Sequence, residues 1–196
     1  MKLMKNAIEE ILINIESATE LIDHDVVEEF KDVLTKSKNV FVLGAGRSGL
    51  VAKAFAMRLV HLGISAYVVG ETISPAIYED DCILAISGSG ETKTIVSAVD
   101  IAKNRGSKAL ALTSYPESTL GQLADSVMIV KGRTNVDVDD EDYIKRQIDG
   151  NYVSLTPLGT AFELTSLIFL DGLIAEIMIN MGKTEEDLRF RHTVLE

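Results

Sequence analysis

Apolar side chains recur at helical spacing over residues 3–22 (Leu3, Ala7, Ile8, Ile11, Ile15) and again over 26–36 (Val26, Val27, Phe30, Val33, Leu34). Two amphipathic helices therefore open the chain, with a polar break around Asp23-His24-Asp25. Four short aliphatic runs follow, at Val40-Phe-Val-Leu43, Ala66-Tyr-Val-Val69, Cys82-Ile-Leu-Ala-Ile86 and Ala109-Leu-Ala-Leu112, and a fifth at Ser126-Val-Met-Ile-Val130. None alternates with polar residues, which is the pattern of strands covered on both faces, and helical segments at 49–62 and 92–104 separate several of them. The expectation is an α/β fold: a doubly wound, three-layer sandwich with a five-stranded parallel sheet, flavodoxin- or Rossmann-like. Thr156-Pro157 reads as an N-cap followed by the first position of a long helix running to about Met181, with Gly182 as its stop. One more short helix is expected within Glu185–Glu196. Periodicity fades between Lys131 and Thr156, where the acidic stretch 137–142 reads as a solvated loop. A calcium loop counted from Asp137 would need Gly at its sixth place and Glu at its twelfth, and Asp142 and Ile148 stand there.

Composition narrows the class. The 196 residues, 46% hydrophobic and with 14 Gly and 3 Pro, suit one compact domain over 1–196 that needs no disulfide or structural metal to hold a core. A formal charge of −11 argues against nucleic acid and anionic membranes as partners, since both attract basic faces. The single Cys82 lies in an apolar run and reads as a small core residue, which fits a reduced, cytoplasmic setting. No stretch reaches the ~18 uninterrupted apolar residues of a bilayer span. The most apolar segment, 161–181, carries Glu163, Asp171 and Glu176 and reads as a buried soluble helix, while Glu9 and Glu10 stand where a signal peptide would be apolar.

Two loops carry the candidate chemistry. Gly44-Ala-Gly-Arg-Ser-Gly49 follows the first strand and opens a helix, so unpaired backbone N–H groups point at whatever lies above it, an arrangement that attracts phosphate. Its G-x-G-x-x-G spacing also matches the dinucleotide fingerprint, with Glu71 as a possible ribose-binding acid. Ser87-Gly-Ser-Gly-Glu-Thr92 repeats the strand, loop and helix-start arrangement after the third strand, with hydroxyls in place of bare glycines. A phosphomonoester exposes three oxygens that need donors from several directions, and Ser87, Ser89 and Thr92 can supply them beside backbone N–H groups. The plainer alternative for each loop is a simple turn.

At these residues the chain resembles the sugar isomerase (SIS) domain family, and within it the 6-phospho-3-hexuloisomerases. The resemblance extends over nearly the whole chain through Gly46-Arg-Ser-Gly49, Phe55-Ala-Met-Arg-Leu-Val-His-Leu-Gly63, Val69-Gly-Glu-Thr72, Ser87-Gly-Ser-Gly90, Pro157-Leu-Gly-Thr-Ala-Phe-Glu163, Phe169-Leu-Asp171 and Arg191-His192. It implies a sugar phosphate as substrate, with Ser48 and the stretch Ser87, Gly88, Ser89, Gly90, Glu91 and Thr92 at the phosphate-binding positions and Glu163 as proton acceptor. It implies the interconversion of D-arabino-3-hexulose 6-phosphate and fructose 6-phosphate through a cis-enediol, with no cofactor and no metal, within the ribulose monophosphate pathway of formaldehyde metabolism. A homodimer or homotetramer with shared active sites is expected, the N-terminal helices 3–36 and helix 157–181 with its tail packing on the domain or on partner subunits.

The residues bear on that chemistry independently. Glu163 lies among Ala161, Phe162 and Leu164 on an otherwise apolar helix and shares a helical stripe with Thr156, Thr160 and Ser166. That stripe either looks toward the sugar, or faces water or pairs with an Arg such as Arg58. Arg47 either polarises the carbonyl and clamps sugar hydroxyls or pairs with Glu71. His61 and His192 compete for the role of acid, and His24 reads as a surface residue. His61 either caps the C-terminus of its helix or, lying ~20 Å along it from the first loop, reaches only a site formed with another subunit, and His192 either acts across an interface or is a plain surface side chain. A 3-ketose esterified at O6 cannot close a five-membered ring through that oxygen and arrives open-chain, so losing a His should cost less than losing Glu163. Three alternatives stand beside this reading: a non-catalytic sugar-phosphate sensor, which has no use for the Glu163 carboxylate; a nicotinamide-dependent dehydrogenase; and a zinc-dependent isomerase, for which three scattered His and one Cys make a poor ligand set.

Overall fold

The computed structural model describes residues 2–132, 156–157 and 159–192, so the acidic stretch 137–142 lies outside the described residues. The five expected strands are present as β1 (Val40–Gly44), β2 (Ala66–Val68), β3 (Cys82–Ile86), β4 (Lys108–Thr113) and β5 (Ser126–Ile129). All pair in parallel, in the order β2-β1-β3-β4-β5. The helices are α1 (Lys2–Thr19), α2 (His24–Lys36), α3 (Arg47–Leu62), α4 (Lys93–Asn104), α5 (Thr119–Leu123), α6 (Thr160–Asn180) and α7 (Glu185–Arg191).

Alternate strand residues serve opposite faces. Val40, Val42, Leu84, Leu110 and Leu112 join one core with Phe30 and Leu34 of α2, Phe55 and Leu59 of α3, and Leu170 and Ile174 of α6. Phe41, Leu43, Ile83, Ala85 and Ala111 join the other with Ile95 and Val99 of α4 and Leu120 of α5. The period of two is therefore real but hidden in the sequence, because both faces are apolar. Cys82 is fully buried in the first core, and burial pushes its thiol up to about 11, which leaves it inert at neutral pH. No described helix is long and apolar enough to cross a membrane.

Two boundaries differ from the sequence reading. Asp23 caps α2 through its carboxylate, which accepts from the N–H groups of Asp25 and Val26, so His24 belongs to the first turn of the helix. Helix α6 begins at Thr160, with Gly159 at φ 86° as its N-cap, rather than at Pro157. Thr156, four residues ahead of the helix, donates its hydroxyl to the Glu10 carboxylate of α1 at 3.3 Å. Helix α5 was not expected from periodicity at all. Its single turn is set by Ser118, whose hydroxyl accepts from the N–H of Gly121.

Candidate active site

The chain leaves β1 toward β2 on one side of the sheet, while β3 lies on the other, so the crevice beyond the carboxyl ends of β1 and β3 is the topological switch point where open α/β sheets bind ligands. Both glycine-serine loops open onto it. Helix α3 starts after Gly46 and α4 after Thr92, and neither has a side-chain cap, so their first N–H groups are left for an anion. In the first loop the chain turns tightly enough that a Cβ on Gly44 would lie 2.6 Å from the Ser48 carbonyl. Ser48 itself is buried in the first turn of α3.

The second loop is built from behind. The Ser87 hydroxyl is buried and lies 3.2 Å from that of Thr92. Ser89 is exposed, and its hydroxyl accepts from the N–H of Glu91. The Gly88 carbonyl accepts from Ser114 N–H at 3.1 Å, and the Gly90 carbonyl accepts from Leu120 N–H at 3.0 Å. Gly90 has φ 65° and lies against Ser118 so closely that a Cβ would be 1.9 Å from the Ser118 hydroxyl oxygen. The Glu91 carboxylate is engaged on the neighbouring segment. One oxygen accepts from Thr119 N–H at 2.7 Å and the other from the Thr119 hydroxyl at 2.8 Å. These two bonds, the backbone one first, hold its pKa below the ordinary carboxylate value.

The start of α6 closes the crevice. Phe162 packs on the second loop, where a Cβ on Gly88 would meet its ring at 3.2 Å. The next residue, Glu163, lies over the first loop, and Arg47 Nε donates to Glu163 Oε2 at 2.9 Å. The Glu163 side chain is 14% exposed and that of Arg47 58%. The pairings offered by the sequence are thereby replaced: Glu71 is held by Lys53 at 2.6 Å, and Arg58 faces Asp171 at 3.5 Å. Ser166, expected on the same polar stripe as Glu163, is fully buried, and its hydroxyl has no hydrogen-bond partner among the described residues. Thr156 is buried as well, so of the stripe only Thr160 and Glu163 are half-buried near the crevice.

His61 and His192 form one pair, with ring centroids 5.0 Å apart, at the far end of α3. That helix end is about 20 Å from Arg47 at 1.5 Å per residue, so within one chain the pair does not meet Glu163. His24 is exposed at the start of α2. His61 is buried, and its pKa is lowered, first by burial and then by His192 and Arg58. Its ordinary value is 6.5, so below that pH the unfolded chain binds a proton that the folded chain resists. The stability contribution is full above that value and is lost as pH falls toward the lowered one. Thermal melts at about pH 7.5 and about pH 5.5 should therefore show a larger drop for the parent chain than for His61→Asn. Equal drops would remove His61 as the cause.

Comparison with known proteins adds the lineage. A family model for the SIS domain matches residues 33–139, from the last turn of α2 past β5. The chain belongs to the SIS domain family. Among SIS relatives, the 3-hexulose-6-phosphate isomerase of Bacillus subtilis is 36% identical over 95% of this chain and 96% of its own. That of Methylomonas aminofaciens is 40% identical over 80% of each. The crystal structure of a Methanococcus jannaschii protein, with an inferred function of 3-hexulose-6-phosphate isomerase, matches with a TM-score of 0.80 at 31% identity, over 96% of this chain and 98% of that one. The SIS match takes in both loops and stops before α6.

Proposed function

We propose that this chain is an isomerase that interconverts D-arabino-3-hexulose 6-phosphate and fructose 6-phosphate. The observation that carries the reading is the Glu163 carboxylate, held over the first loop by Arg47 while Phe162, the residue before it, packs on Gly88 of the second. The isomerase names of relatives that match most of the chain support it. A sensor would gain nothing from a largely shielded carboxylate at that place.

In this mechanism the phosphate takes donors from Ser48, Ser87, Ser89 and Thr92 and from the first N–H groups of α3 and α4. That anchors C6 and lays the open-chain carbons toward Glu163. The carboxylate removes the proton on C2, the C2–H electron pair forms the C2=C3 double bond, and O3 becomes the enediolate oxygen. Arg47, already at hydrogen-bond distance from the base, lies where that negative charge develops. Proton transfer from O2 to O3 and return of a proton to C3 give fructose 6-phosphate, with no net oxidation. The reaction class fits a cytoplasmic enzyme of formaldehyde fixation through the ribulose monophosphate pathway, built as a single SIS domain.

The acid that serves the oxygens is assigned to the His61–His192 pair of a neighbouring copy in a dimer or tetramer, because that pair is remote from Glu163 within one chain. Helix α1 supports association: of its residues only Ala18 is buried, while Leu3, Met4, Ile8, Leu12 and Ile13 are exposed. The double change Ile8→Glu and Leu12→Glu should give monomers by light scattering, with turnover down by at least about tenfold. Monomers of full activity would sink the shared site. The function itself is tested by supplying the 3-hexulose 6-phosphate and following fructose 6-phosphate through coupling enzymes that reduce NADP. Absence of product from folded protein would contradict it.

A further inference from the structure

A carboxylate in the middle of a phosphate-binding loop is at first sight a defect, because an ionised Glu91 repels an approaching dianion. The structure resolves this by turning the side chain to the neighbouring segment, where Thr119 supplies one donor to each oxygen. We propose that Glu91 is a positioning residue, whose bonds to Thr119 set the Ser87–Thr92 loop in its phosphate-receiving shape before the substrate arrives. The inference rests on the reading of this loop as the phosphate cup and adds a residue pair that acts on it from outside.

Three further contacts place this buckle within a larger frame. The segment from Thr113 to Leu120 follows the loop along its length: Ser114 N–H donates to Gly88, Leu120 N–H donates to Gly90, and Ser118 fills the space under Gly90. These hold the backbone as far as Gly90. Beyond it, Glu91 is exposed and leads into Thr92, whose hydroxyl must face Ser87. The side-chain bonds to Thr119 are what fasten this last part of the loop to the frame. A loop of alternating serine and glycine has many conformations when free, so a fastening made in advance spares that ordering at the moment of binding. The same bonds aim the negative charge away from the Ser87–Thr92 hydroxyl pair, and their two neutral donors favour the charged carboxylate.

The sign of the effect separates this from a direct contact. If Glu91 faced the phosphate, removing its charge would tighten binding. As a fastening, its removal must weaken it. Titration calorimetry with inorganic phosphate and with glucitol 6-phosphate, a sugar phosphate with no carbonyl to react, is expected to show Kd rising about tenfold in Glu91→Ala and by less in Glu91→Gln, which keeps one acceptor. Thr119→Val, which removes only the hydroxyl, should raise Kd about threefold, and the double variant Glu91→Ala with Thr119→Val should be no weaker than Glu91→Ala. KM should follow Kd, while kcat stays within about threefold, and melting temperatures should stay within a few degrees because both side chains are exposed. An unchanged or lowered Kd in Glu91→Ala overturns the proposal, as does additivity in the double variant, which would place Glu91 on the sugar itself. Weakened phosphate binding in Glu91→Ala, beside a parent chain that binds phosphate but turns over no hexulose phosphate, would uphold the fastening and refute the isomerase reading instead.

Discussion

Glu163→Gln is expected to lower kcat about a thousandfold while leaving the Kd for glucitol 6-phosphate within about threefold, since a positioned general base contributes on the order of 10²–10⁴. Glutamine is the informative replacement because its amide oxygen can still accept from Arg47 Nε, the bond that ties residue 163 to the first loop. Geometry and packing are kept, and only the ability to take a proton is lost. His61→Asn and His192→Asn should each cost less than this, because a donor that assists the oxygens can be replaced in part by Arg47 or by water. Near-normal turnover in Glu163→Gln with intact binding would transfer the base role elsewhere.

The second large effect is expected at Gly44. A Cβ there would lie 2.6 Å from both the carbonyl carbon and oxygen of Ser48, and 2.8 Å from the N–H nitrogen of Gly49. These are backbone atoms in the first turn of α3, so no side-chain rotation relieves the contact. Gly44→Ala must push the start of α3 away from the end of β1, against a helix that is packed through Val51, Ala52 and Phe55 on the core. Overpacking of this kind costs about 3 kcal/mol, which for a chain of this length lowers Tm by roughly 10 °C. Phosphate affinity should fall in the same variant, because Ser48 and the first N–H groups of α3 move together. Alanine at Gly46 makes a useful contrast. No atom lies within 4 Å of a Cβ there, so only the backbone strain of φ 56° opposes it, and the loss of Tm should be smaller.

What the sequence made legible follows from the range of the forces involved. The five strands announced themselves as aliphatic runs because a sheet buried on both faces leaves no room for polar residues, and both phosphate loops could be placed from the strand before and the helix after each. Failures cluster where a side chain meets a partner distant in sequence. Thr156 looks like a helix cap until Glu10, in α1, takes its hydroxyl. Arg47 and Glu163 are 116 positions apart, and nothing local distinguishes Glu163 from Glu71 as the partner of Arg47, or Arg47 from Arg58 as the partner of Glu163. The packing of α6 on α3 decides it. The direction of the Glu91 side chain is fixed by α5, a helix too short to register as a periodic pattern. The signal for α5 lay in Ser118, a capping residue followed by an apolar Leu120. His61 lies away from the first loop by helix length alone, but its meeting with His192 depends on α7 folding back on the end of α3, where the Arg191 guanidinium lies against Gly63.

The central claim is that one carboxylate at the sheet's rim moves hydrogen between C2 and C3 of a phosphate-anchored sugar. Incubating the protein with fructose 6-phosphate in deuterium oxide and reading the carbon positions by NMR tests it most directly. Deuterium should enter at C3 of fructose 6-phosphate and at C2 of the 3-hexulose formed, and Glu163→Gln should abolish both. Deuterium at C1, with C3 untouched, would mean a 1,2-enediol and a different isomerisation, and would contradict the account.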